Sequence, residues 1–450
     1  MDAESTALVP PPGCPAHGTG ARIPLYGPEF AADPHAYYDY MRQFGATTAV
    51  ELAPGVEATL VTDYTAALQM LQDPASFRKD SRRWRDLKEG RVPADSPVLP
   101  LLAYRPSCMF SDGVEHLRLR QAVTDSLARV DSRRLTQRTQ QISDYLITQF
   151  SSRGSADLVG EYAKQLPLFV FTELFGCPAD IGDRVLFGMS GMFDGVNAGK
   201  AAEVLVQATA DLVTLKRTKP GDDVTSWLMQ HEAGLSDEEM AHQLALLLGA
   251  GAEPLRNLLG NTLHRLLTHD QYAHRGGLIS DALDDTLWDN PPLTNFLWHY
   301  PAGDMEFAGT KLGTGELVMV SIAAANNDRV LTAARQSGSN RAHLSFGAGP
   351  HACPSKEIAR HIIVTAVENL LNQLPDIELA VPSDSLTWRP GPFSRSLTAL
   401  PTRFTSVQAV QRPTTQQSRQ ESPAREEFVA PPRKSERGGL WSSFLSWLAK

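Results

Sequence analysis

Between about residues 30 and 400, apolar residues recur mostly at helical spacing, and long amphipathic segments outnumber short alternating ones. SDEEMAHQLALLLGAGAEPLRNLLGNTLHRLL (236–267) opens with Ser236 and Glu239 in capping-box register and continues as one long apolar-rich helix. SKEIARHIIVTAVENLL (355–371) has the same periodicity. VEATLVTD (56–63) and ELVMVSIAAANN (316–327) carry β-branched residues in near-alternation and predict strands. At the far end, GLWSSFLSWLAK (439–450) sets Leu440, Trp441, Phe444, Leu445 and Leu448 on one helical face. No internal repeat of solenoid length is present. The pattern predicts a mainly α chain with small β-sheets, an α+β class.

Composition divides this pattern into parts. Residues 1–20 are rich in Pro, Gly and small residues and predict a disordered leader; 21–405 form the one large domain. Residues 406–438 turn to Gln, Ser, Thr, Pro, Arg and Glu, a disordered linker, and 439–450 form the amphipathic helix. A tail with seven basic residues against four acidic ones, ending in an aromatic helix, is expected to dock on an anionic membrane surface or a protein partner. The formal charge of −9 on 450 residues argues against nucleic-acid binding, which needs a basic face. Cys14, Cys108, Cys177 and Cys353 are scattered without a C-x-x-C pair, which excludes a disulfide scaffold and fits a reducing compartment. No apolar run reaches bilayer length and the first residues are not signal-like, so the expected location is cytoplasmic, at most peripheral at a membrane.

Candidate chemistry concentrates in SFGAGPHACPSK (345–356). Phe346, Gly347, Gly349, His351 and Cys353 form a glycine-rich loop that ends in a thiol just ahead of a helix, where the macrodipole favours a thiolate. A nucleophilic cysteine lacks a base nearby in sequence, and zinc needs more ligands than His351 and Cys353 supply. A haem needs one protein thiolate, and a buried structural cysteine needs nothing further. Three more stretches stand out. DGVEHLRLR (112–120) places His116 and Arg120 at i, i+4, able to clamp an anion. HYPAGDMEFAG (299–309) begins with His299 at a strand entry. Ala250-Gly251-Ala252-Glu253-Pro254 interrupts the long helix.

In this order the motifs resemble the haem-thiolate monooxygenases, the cytochrome P-450 family, over about residues 25–405, most closely its actinobacterial soluble members. The resemblance implies a triangular helical prism around a buried haem b (iron protoporphyrin IX) with Cys353 as iron ligand. His116, Arg120, His299 and His351 would bind the propionates, and Phe346, Gly347 and Gly349 would shape the loop. Ala250, Gly251, Glu253 and Pro254 would lie over the haem, with Glu253 in proton delivery. It further implies oxygenation of a hydrophobic small molecule, with electrons from NAD(P)H through a ferredoxin reductase and ferredoxin.

The departures are specific. Pro254 stands where an alcohol completes the relay, and His299 where an arginine is usual. Pro354 removes a backbone N–H beside the cysteine and is expected to lower the reduction potential. Asp285-Thr286-Leu287-Trp288 replaces E-x-x-R, and the segment before the cysteine loop is short. Trp288 is expected to fill the arginine's volume and find one acceptor for its indole N–H, with Asp285 turned outward or capping a neighbour. A subgroup of the family lacks E-x-x-R. Its association with a small GTPase and a sensor protein gives the rival expectation of a weakly catalytic haem component in a signalling complex.

Overall fold

The computed structural model describes residues 10–11, 22–194, 198–272, 279–331, 340–407 and 439–449. One sheet joins β1 (Ile23–Pro24), β2 (Thr47–Ala53), β3 (Val56–Val61), β4 (Phe77–Arg78), β5 (Asn295–Pro301) and β6 (Val318–Ser321) in the order β1-β2-β3-β6-β5-β4. The β2–β3 hairpin turns at Gly55, whose φ of 74° suits glycine. β6 runs parallel to β3 and antiparallel to β5, and all four of its residues are buried. The expected strand over 316–327 therefore stops early. Ser321 Oγ accepts the Ala324 N–H at 3.1 Å and starts a short helix through the alanines that follow.

The helices around the site are α1 (Gly113–Ala128), α2 (Ser132–Thr148), α3 (Gln165–Leu174), α4 (Ala179–Asp194), α5 (Ala198–Thr218), α6 (Asp237–Thr268), α7 (Ile279–Asp289), α8 (Ile322–Asn326), α9 (Lys356–Gln373) and α10 (Leu440–Leu448). α6 is the central one and packs on α3, α5, α7 and α9, with Leu255, Leu259 and Leu263 fully inside. Its start is the capping box expected from Ser236 and Glu239. The apolar core follows α2, α3, α6 and α9, and a second cluster lies against β2, β3 and Trp298. A mainly α chain with small sheets is what the periodicity predicted.

The carboxy-terminal helix forms where expected and packs elsewhere than expected. α10 lies on its own domain, against α4 and α2, with Trp441 and Phe444 each 1% exposed. Trp441 Nε1 donates to the Cys177 carbonyl at 3.2 Å and its backbone N–H to Asp183 Oδ1 at 2.7 Å. The Phe444 ring stands 5.3 Å from Tyr145 and 5.6 Å from Phe169. Gly182 admits the indole, since a Cβ there would sit 2.2 Å from Trp441 Cδ1. The expectation that 439–450 docks on a membrane or partner is corrected: burying this aromatic face at home is the stronger use of it. Of the leader and linker, residues 1–9, 12–20 and 408–438 lie outside the described residues. No described helix is long and apolar enough to cross a membrane.

Candidate functional site

The cysteine loop is built by backbone geometry. Gly347 and Gly349 have φ of 69° and 67°, the left-handed region that glycine enters without strain. At Gly349 a side chain is also excluded by space, because a Cβ would lie 2.0 Å from the Leu71 carbonyl oxygen. The Cys353 N–H donates to the Phe346 carbonyl at 2.8 Å and closes the loop. Cys353 is half-buried, with Sγ 3.4 Å from Ser355 Oγ. α9 begins at Lys356, so Pro354 precedes the helix and breaks no intrahelical bond. No group of three His, Cys, Asp or Glu side chains able to hold a metal occurs among the described residues, which leaves zinc without its ligands.

Beside this loop five basic side chains converge from four segments: Lys79, His116, Arg120, His299 and His351. The His116 and His351 rings lie 3.9 Å apart, and burial pushes His116 down to about 4 and His351 far below the usual histidine range. His299 is 4% exposed, donates through Nδ1 to the Leu297 carbonyl at 3.3 Å, and is likewise held neutral by burial. Lys79 Nζ donates to the Trp298 carbonyl at 2.9 Å and sits 4.0 Å over the Trp298 ring; burial lowers it to about 7. Arg120 Nη2 donates to the Ala352 carbonyl, inside the cysteine loop. One carboxylate, Asp112, faces Lys79 and is taken up by the Lys79 and Asp80 N–H groups. His116 Nε2 is buried without a partner. Three buried and two half-buried donors facing one acid among the described residues suit a ligand with more than one carboxylate. Haem b, which carries two, fits this cradle.

The middle of α6 holds the Ala250–Pro254 segment singled out in the sequence. Leu246, Leu247 and Pro254 are half-buried and Ala250 is exposed, which places them on one face at helical spacing. The helix runs unbroken through Pro254, which offers no N–H to the Ala250 carbonyl. Gly251 points the other way. A Cβ on it would lie 2.3 Å from the Phe171 ring, so this glycine allows the close approach of α3. Glu253 is buried with Oε1 on Arg389 Nη1 at 2.8 Å and Oε2 on Arg256 Nη1 at 3.4 Å.

Behind the loop, α7 supplies the support. Trp288 is buried and its indole N–H donates to the Asn340 carbonyl at 3.0 Å, with the ring edge-on to His343 at 5.5 Å. Asp285 accepts from the Tyr272 hydroxyl and lies 4.0 Å from Arg265, on the α6 side of α7. The indole N–H thus has the one acceptor expected for it, and Asp285 is engaged with a neighbour. Asn326 ties three segments together: its Nδ2 donates to the Leu287 carbonyl at 3.0 Å and to Ser345 Oγ at 3.1 Å, and its Oδ1 accepts the Leu344 N–H at 2.7 Å.

The structure thus gathers His351, His116, Arg120 and His299 beside the Cys353 loop, and puts Ala250 and Pro254 on one face of α6 with Gly251 against Phe171. Sequence reasoning missed Lys79 and Arg389. A lysine after a short strand reads as a solvated charge, and only the pairing of Arg78 with Tyr300 brings its neighbour beside Trp298.

No family model matches the chain. Whole-length relatives do. It is 32% identical over 394 residues to the cytochrome P-450 107B1 of Saccharopolyspora erythraea, across 83% of this chain and 96% of that protein. It is 32% identical over 396 residues to the vitamin D(3) 25-hydroxylase of Pseudonocardia autotrophica, across 84% of this chain and 95% of that one. Among solved structures, CYP154C4 from Streptomyces sp. W2061 superposes with a TM-score of 0.77 at 27% identity, covering 85% of this chain and 97% of that one.

Proposed function

The chain belongs to the cytochrome P-450 family, and from that premise we propose that Cys353 holds the iron of its haem b and that the α6 face presents an apolar small molecule to it. The chain is a monooxygenase of this type. Bound in the cradle, the haem supplies dioxygen activation, with electrons entering from an NAD(P)H-dependent reductase and a ferredoxin. Everything else falls to side chains. Lys79, His116, Arg120, His299 and His351 would hold the two carboxylates beside the Cys353 loop. Leu246, Leu247 and Pro254 exclude water and orient the substrate through shape. The Ala250 carbonyl, freed of its helix partner by Pro254, accepts a hydrogen bond from water or a substrate hydroxyl, where family members use an alcohol side chain. Glu253 has an arginine on each oxygen and passes a proton only when one of them lets go, so turnover is expected to be slow.

The observation that carries this reading is the cradle: four basic side chains around His351, Asp112 facing Lys79, and an unpartnered buried imidazole nitrogen next to a thiol-bearing loop. The signalling reading has no such observation beside it, and the tail helix expected to dock on a partner is packed on its own domain. The test is turnover of an apolar substrate library with surrogate electron donors under isotopically labelled dioxygen, for wild type and Pro254→Thr. Labelled product from wild type, increased in Pro254→Thr, is expected. Absence of labelled product from both overturns the proposal.

A further inference from the structure

Removing E-x-x-R leaves the cysteine loop without the charge that would tie it to α7, and Trp288 replaces only the volume. We propose that Asp284, one residue before the position the motif would assign, is the positioning residue that carries this charge. The inference rests on the reading of Cys353 as the haem ligand.

The carboxylate of Asp284 is shared between two arginines that bracket the loop. Its Oδ2 accepts from Arg341 Nε at 3.0 Å, on the amino-terminal side of SFGAGPHAC. Its Oδ1 pairs with Arg360 Nη1 on α9, beyond Cys353. Each oxygen serves one partner, so the two contacts do not compete. The whole of 341–360 is thereby fastened at both ends to one side chain of α7. Burial sets the weights: Arg360 is 11% exposed and Asp284 21%, whereas Arg341 is 57% exposed. The Arg360 contact therefore dominates, and the Arg341 contact is largely screened by water.

Asp285 does not share this work. Its contacts are with Tyr272 and Arg265, away from the loop. Trp288 does reach the same segment, through the Asn340 carbonyl, but with a neutral bond. The lost motif has been divided: Trp288 fills and Asp284 charges. The Asn326–Ser345–Leu287 hydrogen bonds make no use of Asp284, so a variant there keeps a folded loop with a looser frame.

The test compares Asp284→Asn with Asp285→Asn and with Asp284→Glu in the haem-loaded protein. Two readouts are taken: the rate of haem transfer to apomyoglobin, and the share of thiolate-type absorption in the reduced carbon monoxide complex. Asp284→Asn is expected to speed haem loss by about tenfold and to lower the thiolate share, because it leaves a mostly buried arginine without its carboxylate. Asp284→Glu restores most of both, and Asp285→Asn stays within about twofold of wild type, as expected for a half-exposed side chain whose partners lie away from the loop. Arg360→Gln, with Asp284 intact, repeats the Asp284→Asn result if that variant folds poorly. Wild-type behaviour in both Asp284→Asn and Arg360→Gln, or a larger effect in Asp285→Asn, overturns the proposal. A wild-type protein lacking the thiolate band would instead overturn the reading beneath it.

Discussion

Lys79 is the residue at this site whose charge is set nearest neutrality. Burial lowers it from 10.5 to about 7, against Asp112, which raises it, while His299, His351, His116 and Arg120 crowd the same volume. Between those two values the unfolded chain keeps the proton and the folded chain gives it up, so this lysine makes stability rise with pH across that window. Carboxylates bound beside it hold the proton on. Ligand affinity should therefore fall as pH rises above 7, by up to about tenfold per unit, and binding should take up a proton. Haem affinity measured by competition from pH 6.5 to 9 checks this. The wild type is expected to show the slope and Lys79→Gln to lose it; equal slopes would remove Lys79 from the site. His299, which stands in place of an arginine, is too deeply buried to add to this pH dependence. The glycines, His351 and Cys353 were legible because they are consecutive and their chemistry is local. Lys79 and Asp284 were not. The meaning of each comes from a contact made far along the chain, Asp284 reaching Arg360 across 76 positions.

At the scale of elements, two helices carry predictions. Pro254 sits inside α6, where the ring removes one hydrogen bond. Pro254→Ala restores the N–H to the Ala250 carbonyl and should stabilise the protein by about 1–3 kcal/mol, read as a higher Tm. A lower Tm would mean that the packing of α6 requires the ring. The second element is α10. Its amphipathic face was plain in the sequence, but periodicity identifies a face and not its partner, and the receiving groove is built by Tyr145, Phe169 and Gly182 from three other helices. Trp441→Ala should cost about 3–5 kcal/mol, as for a large buried aromatic. Gly182→Val should expel the helix and make 439–450 a protease target. A full-length Tm unmoved by either substitution would contradict the packed position. The strand over 316–327 failed for a local reason: Ser321 caps a helix, and three alanines that satisfy a strand pattern by burial also favour a helix.

At the scale of the molecule, the site draws one or two residues from each of many segments: Lys79 after β4, His116 and Arg120 on α1, Ala250 and Pro254 on α6, Trp288 and Asp284 on α7, His299 on β5, and the loop before α9. α6 and α9 line the main apolar core, and the β4–β5 pairing brings Lys79 beside Trp298 and His299. Mainly α organisation and the family resemblance were readable because long periodic helices and the glycine–cysteine motif survive in this chain. The means by which the cysteine loop is supported were not, since a missing motif says nothing of what replaces it. The account stands on Cys353 acting as a thiolate ligand within that altered frame. The measurement that tests it most directly is the carbon monoxide difference spectrum of the reduced, purified protein beside Cys353→Ala. The account predicts a red-shifted Soret band in wild type that disappears in the variant. A blue-shifted, imidazole-like band in wild type, or one unchanged by Cys353→Ala, would contradict it.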